Sequence, residues 1–207
     1  MTQQQAMKKL LTPLRLASTL IVLTLLVVFS SCNSNDVTPT ATTPARPADP
    51  RNAAGPVLNS LPPNVMEAEL RTSDGSPIKL SDYSGKVLLV NLWATWCGPC
   101  QLETPELVKL HKEFQSRGVE MVGLSTENPE ASAERVRQFV RTYSVDYHVG
   151  WATPEVALTL MQGSESIPQS FIITREGRIM KRFIGFSPSN TPPQLRQALE
   201  EALAAKG

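Results

Sequence analysis

The sequence predicts an α/β fold in which helices flank a mixed central sheet. From Val87 onward, apolar runs of strand length alternate with amphipathic segments of helix length, and a hairpin turn at 175–178 joins the last two strands. Alternating strands and helices favour a parallel sheet with right-handed crossovers, whereas a hairpin adds an antiparallel strand. The run Val87–Trp93 is almost entirely apolar, which is typical of a central strand buried on both faces.

The remaining elements follow from local patterns. A helix is predicted from Cys97 to Arg117, and Gly118 suits its C-terminal cap. Before the central strand, residues 65–71 and 78–80 predict two short strands of a hairpin. The later predictions are a strand at 119–125, a helix at 128–143, a strand at 146–151, a helix at 153–161, strands at 168–173 and 179–184, and a C-terminal helix through Leu203.

Cys97 and Cys100 stand where the buried strand meets the start of the next helix. The first turn of a helix has unpaired N–H groups and the positive end of the dipole, and both favour a thiolate. We therefore expect a lowered pKa for Cys97, which makes it the nucleophile, and Cys100 is close enough to form a disulfide with it. A zinc site is the alternative, but it needs four ligands, and the chain has one other cysteine and two histidines. We predict no metal and no cofactor.

The segment Asn91–Pro105, N-L-W-A-T-W-C-G-P-C-Q-L-E-T-P, resembles the active site of the thioredoxin superfamily. It is most similar to the ResA/TlpA branch of membrane-anchored thiol–disulfide oxidoreductases, and the resemblance runs from about Leu58 to the C-terminus. It implies a thioredoxin-like fold with an N-terminal β-hairpin and an extra helix–strand insertion. Cys100 and Pro168 are 68 positions apart, which leaves room for that insertion.

The resemblance also implies roles for residues around the cysteines. Cys97 attacks a substrate disulfide and Cys100 resolves the mixed disulfide. Pro168 is expected to be cis and to face the cysteines, so that the backbone of Ile167 pairs with an extended substrate. Trp96 is expected to form part of the docking surface.

Deprotonation of Cys100 requires a base. Many thioredoxins carry a buried Asp six residues before the first cysteine, but Asn91 holds that position here and cannot titrate. Glu103 lies one turn from Cys100 and matches an acidic residue of the ResA/TlpA helix, so it is the predicted base. The alternative is a surface glutamate that merely stabilises the start of the helix.

Residues 1–31 predict a lipoprotein-type signal peptide. Lys8, Lys9 and Arg15 form a basic head before the apolar stretch 16–29. As a helix, that stretch would span about 21 Å, short of the ~30 Å hydrocarbon core, although an uncleaved anchor remains the alternative.

Cys32 and the residues that follow it predict a lipid anchor and a tether. Phe29–Cys32 resembles a lipobox, in which the cysteine receives lipid; a stray cysteine beside an ordinary cleavage site is the alternative. Residues 32–57 predict a disordered linker, because proline, threonine and alanine dominate and little can form a core. Residues 58–207 are the predicted thioredoxin-like domain.

Charge and motifs together define the expected function. Beyond residue 31 the chain carries 17 basic and 19 acidic residues, so no basic surface for nucleic acid is expected. We expect a membrane-anchored, extracytoplasmic or periplasmic enzyme that reduces protein disulfides, with a membrane partner as reductant and a role like that in cytochrome c maturation as one option. The alternative is a thioredoxin-like copper carrier or binding module, for which His148 would be the ligand.

Overall fold

The computed structural model describes residues 59–205. This part spans the predicted domain 58–207 apart from its first residue and its last two. The predicted signal peptide 1–31, the lipid-attachment site Cys32 and the linker 32–57 lie outside the described residues. Within 59–205, no helix has the length and apolar character needed to cross a bilayer.

A short helix and a two-stranded hairpin open the described chain. Their bounds are Pro63–Met66 for helix α1, Leu70–Arg71 for strand β1 and Pro77–Ile78 for strand β2. The strands pair antiparallel, so the predicted hairpin is confirmed, but the prediction of one strand over 65–71 is wrong. Pro63 lies in the first turn of α1, where its fixed φ suits a helix and its missing N–H loses no bond. That turn buries Val65 in the core.

Five strands form the main sheet. Their bounds are Val87–Trp93 for β3, Val119–Ser125 for β4, His148–Trp151 for β5, Gln169–Ile173 for β6 and Ile179–Ile184 for β7. The strand order is β5-β4-β3-β6-β7. Strand β3 pairs parallel with β4 and antiparallel with β6, while β4 pairs parallel with β5 and β6 antiparallel with β7. The predicted mixed sheet is therefore confirmed, with β3 at its centre.

Four longer helices connect and cover the strands. Their bounds are Gly98–Phe114 for α2, Pro129–Thr142 for α3, Pro154–Met161 for α4 and Thr191–Ala204 for α5. The side chains of Asn128 and Thr153 accept hydrogen bonds from backbone N–H groups in the first turns of α3 and α4. Strand β5 and helix α4 lie between α3 and β6, in the stretch between Cys100 and Pro168 where the sequence predicts an extra helix–strand pair.

Every residue of β3 is buried, because the sheet is covered on both faces. Leu88, Val90 and Leu92 pack in one apolar cluster with residues of α1, β1, β2 and α4. Val87 and Leu89 point to the other face and pack with residues of α2 and α5. Both faces of the central strand are thus buried, and its carboxyl end leads directly into the loop before Cys97.

Candidate active site

The two cysteines lie at the carboxyl end of the central strand and the start of α2. Cys97 is the N-cap of α2, and its Sγ lies 3.2 Å from the backbone nitrogen of Cys100, which donates toward it. The two residues are joined by a disulfide, and their Cα atoms are 5.2 Å apart. Both are buried. In the reduced protein, the same N–H would favour a thiolate on Cys97 over a thiol.

Pro168 lies across the site from the cysteines. The Ile167–Pro168 bond is cis, as predicted. The carbonyl oxygen of Ile167 lies 3.6 Å from the Sγ of Cys97, so the structure brings these residues together. Trp96 projects from the loop beside them with 70% of its surface exposed. With Arg135, Phe139 and other residues of α3, it lines a shallow groove of about 340 Å³.

Glu103 is a buried residue of α2, one helical turn after Cys100, rather than a surface residue. It is 1% exposed, which excludes the alternative that it is only a solvated glutamate near a helix end. Asn91 Nδ2 donates to Oε2 at 2.9 Å, and Ser170 Oγ donates to Oε1 at 3.0 Å. Burial raises the pKa of Glu103 to about 7, and the hydrogen bonds from Ser170 and Asn91 oppose part of that rise.

The partners of Glu103 come from neighbouring strands. Asn91 and Ser170 are directly opposite each other in the β3–β6 pair, and Asn91 Nδ2 also lies 3.0 Å from Ser170 Oγ. The Asn91 amide and the Ser170 hydroxyl donate hydrogen bonds to the carboxylate oxygens of Glu103. Because neither donor is charged, they do not neutralise the negative charge of the carboxylate. The pKa of the neighbouring Tyr147 is raised, first by its own burial and then by the negative charge on Glu103. Ser170 was not predicted as a site residue. The sequence feature that could have identified it is its position two residues after Pro168.

Two further side chains hold the loops of the site and were missed by the sequence analysis. Glu127 accepts hydrogen bonds from Thr95, in the loop before Cys97. The sequence feature that could have identified it is its position just after β4, the strand that runs parallel to β3. Gln169 holds the loop before the cis-proline: its Nε2 donates to the carbonyl oxygens of Ser164, at 3.0 Å, and Ser166, at 2.7 Å. Arg182 donates in turn to the side-chain oxygen of Gln169 at 2.7 Å.

The remaining predicted residues are placed as follows. Cys32 lies outside the described residues. His148, the ligand that a copper carrier would need, packs its ring against Tyr83 with the ring centroids 5.9 Å apart. In the part of the chain that the structure describes, no three His, Cys, Asp or Glu side chains form a group that could hold a metal ion.

Comparison with known proteins gives the family. Residues 52–199, well over half of the chain, match the Redoxin family. The chain belongs to the Redoxin family. Among similar proteins, the thiol–disulfide oxidoreductase ResA of Bacillus cereus is 30% identical over 142 residues, which cover 67% of this chain and 75% of that protein. ResA of Bacillus subtilis is 35% identical over 116 residues, covering 56% of this chain and 63% of that one.

A solved structure gives the same result for the fold. A thiol:disulfide interchange protein of the thioredoxin family from Chlorobium tepidum superposes on this Redoxin with a TM-score of 0.58 at 29% identity. The match covers 66% of this chain and 95% of that one. The predictions of a thioredoxin-like fold and a ResA-like relationship are therefore confirmed, and the chain is a thioredoxin-like thiol–disulfide oxidoreductase.

Proposed function

We propose that this Redoxin reduces disulfide bonds of extracytoplasmic proteins. The observation that carries the proposal is the buried Glu103, one helical turn from Cys100 and held by Asn91 and Ser170. A base with a pKa about 7 matches the proton transfer that reduction of a substrate requires near neutral pH. The Gly-Pro pair between the cysteines resembles that of reducing thioredoxins.

The reaction has two steps. The Cys97 thiolate attacks one sulfur of the substrate disulfide, forming a mixed disulfide and releasing the other substrate sulfur as a thiolate. Glu103 accepts the proton of Cys100, and the Cys100 thiolate attacks the Cys97 sulfur. The second substrate sulfur leaves, so the substrate gains two electrons and the enzyme retains a Cys97–Cys100 disulfide. A membrane-bound reductant then restores the dithiol.

Docking uses the surface around the cysteines. The backbone of Ile167, beside the cis Pro168, pairs with an extended substrate segment, since its carbonyl oxygen is already 3.6 Å from the attacking sulfur. Trp96 provides the exposed apolar contact on the other side. A substrate disulfide between these residues would lie next to Cys97.

The N-terminal part of the chain determines the proposed location of the enzyme at a membrane. The signal peptide 1–31 directs export, Cys32 carries the lipid, and the linker 32–57 tethers the redox domain 58–207 to the membrane. As a coil, the linker would reach about 30 Å, which holds the domain near the bilayer without pressing it on the surface.

Trapping substrates with Cys100→Ala tests the proposal. Without Cys100 the second step cannot occur, so extracytoplasmic proteins should accumulate as mixed disulfides on Cys97. Mass spectrometry would then identify them: apocytochrome c, an oxidase-assembly protein or a broad set of disulfide proteins. Cys97→Ala with Cys100→Ala is the control, because it retains the surface but has no nucleophile. Equal recovery from both variants, or no adducts at all, would contradict the proposal.

A further inference from the structure

The carboxylate of Glu127 is buried close to the redox site but has no part in the two chemical steps. Its side chain is only 6% exposed. It accepts hydrogen bonds from the backbone nitrogen of Thr95 at 2.7 Å and from the Thr95 hydroxyl at 2.9 Å. The hydroxyl of Ser125 lies 3.3 Å away, and Arg135 Nη2 lies 3.5 Å away. One carboxylate thus joins the loop before Cys97 to β4 and α3.

The strand register explains why Glu127 meets Thr95. Strands β3 and β4 are parallel, and their last residues, Trp93 and Ser125, are paired with each other. Thr95 and Glu127 each lie two positions beyond those ends. The carboxyl ends of parallel neighbours meet at one edge of the sheet, so the two residues face each other across that edge.

Thr95 is held from its other side as well. Gln101, in the first turns of α2, donates from Nε2 to the carbonyl oxygen of Thr95 at 2.8 Å. The backbone nitrogen of Cys97 donates to the carbonyl oxygen of Ala94 at 3.2 Å. All three polar groups of Thr95 are therefore bonded, while the next residue, Trp96, projects into solvent.

We propose that Glu127 is a positioning residue for substrate docking: through Thr95 it determines where Trp96 stands relative to Cys97. The inference rests on the proposed function, in which Trp96 contacts the protein substrate. Glu127 acts on the loop and not on the sulfur atoms. Its loss should therefore impair reactions that depend on docking and spare those that require only the Cys97 thiolate.

Single-turnover reactions of pre-reduced protein with two different disulfide substrates separate an effect on docking from an effect on the Cys97 thiolate. Insulin must dock through the protein surface, whereas the small aromatic disulfide dithiobis(nitrobenzoate) needs only an accessible thiolate. In Glu127→Gln, one oxygen acceptor becomes an amide donor, so only one of the two Thr95 donors keeps an acceptor. We expect the rate constant with insulin to fall about tenfold and the rate constant with the small disulfide to change less than twofold.

Glu134→Gln is the matched control. It removes the same charge from α3, where Glu134 pairs with Arg137 and Arg141 on the surface, and should leave both rates unchanged. Thr95→Val is the second variant, because it removes only the hydroxyl donor; we expect a loss of about threefold with insulin alone.

The outcomes distinguish the two proposals. If wild-type protein fails to reduce insulin, the proposed function and this inference are both overturned. If wild-type protein succeeds and both Glu127→Gln and Thr95→Val keep the wild-type insulin rate, the inference alone is overturned. It is overturned equally if the rates with both disulfides fall in the same proportion, since that is the behaviour of a residue that only stabilises the fold. If Glu127→Gln does not fold, the insulin rate of Thr95→Val alone decides the test.

Discussion

At the scale of single residues, the main feature of the site is the buried carboxyl group of Glu103. Glu103 has hydrogen-bond donors for both oxygens, but none of residues 59–205 places a cation beside it, so burial dominates and its pKa rises to about 7. A carboxyl with an ordinary pKa would be a weak base at neutral pH. Here the fold itself adjusts the group to the pH at which it is expected to accept a proton.

Glu103→Gln is expected to slow the resolution of mixed disulfides. The amide keeps the size of the side chain but cannot accept the Cys100 proton, so resolution should fall by about 10²-fold near pH 7, while alkylation of Cys97 stays close to wild type. In wild-type protein resolution should accelerate as pH rises through about 7, where Glu103 becomes ionised. In the variant, that acceleration should move to higher pH, because Cys100 must lose its proton unaided.

Stopped-flow measurement of both steps between pH 5 and 9 checks this prediction. Glu106→Gln is the matched control: it makes the same change in α2, at a glutamate that pairs with Lys109 on the surface. A wild-type resolution rate for Glu103→Gln across the whole range would show that the base lies elsewhere.

At the scale of elements, the cis-proline loop is held by β6 and β7 rather than by its own residues. The buried Gln169 amide donates to the carbonyl oxygens of Ser164 and Ser166, and Arg182 donates to Gln169 and to the carbonyl oxygen of Met161. Burial lowers the pKa of Arg182. This network ties the end of α4, the loop and two strands together, and it places Ile167 beside Cys97.

Gln169→Leu is expected to destabilise the domain and weaken substrate docking. The leucine has a similar size but leaves the carbonyl oxygens of Ser164 and Ser166 without their donor and removes one of the acceptors of the Arg182 guanidinium, so the free energy of unfolding should fall by about 2–3 kcal/mol. KM for a protein disulfide should rise more than kcat falls, since the loop that positions Ile167 loses its support. Urea unfolding and steady-state kinetics measure the two effects.

The control for that change is Gln197→Leu. Gln197 lies on the exposed face of α5, where its amide donates to Glu201, so its loss should change the free energy of unfolding by less than about 0.5 kcal/mol. If Gln169→Leu behaves like this control in both measurements, the network does not hold the loop.

At the scale of the whole molecule, a redox domain is joined to an N-terminal segment of entirely different composition. The domain encloses a sheet whose central strand is buried on both faces. Residues 1–57 combine a basic head, an apolar stretch, one cysteine and a proline-rich linker. We expect this arrangement to restrict the enzyme to substrates near a membrane.

Cys32→Ala is expected to release the protein from membranes. The mature wild-type chain should begin at Cys32 and carry at least two acyl chains, because one chain gives only marginal attachment. Mass spectrometry of the mature protein and fractionation of cells check this, with Ser34→Ala as the neighbouring control. Reduction of insulin by the purified variant should equal that of wild type. A mature chain with an unmodified Cys32 would contradict the prediction.

The sequence by itself determined the features that depend on neighbours along the chain. The turn from β3 into α2, the caps at Asn128 and Thr153 and the hairpin before β7 each follow from a few consecutive residues, whose sterics and local hydrogen bonds act over one or two turns. The error at residues 65–71 was also local, since a proline-started helical turn there competes with a short strand.

Only the tertiary structure decided the environment of the site. Glu103 is a buried carboxyl group with a raised pKa, and its partners Ser170, 67 positions away, and Asn91 meet it across the sheet. Glu127 reaches Thr95 because β3 and β4 pair in one register and not in another. Desolvation and hydrogen bonding between distant residues depend on which strands become neighbours, and no short stretch of this sequence specifies that.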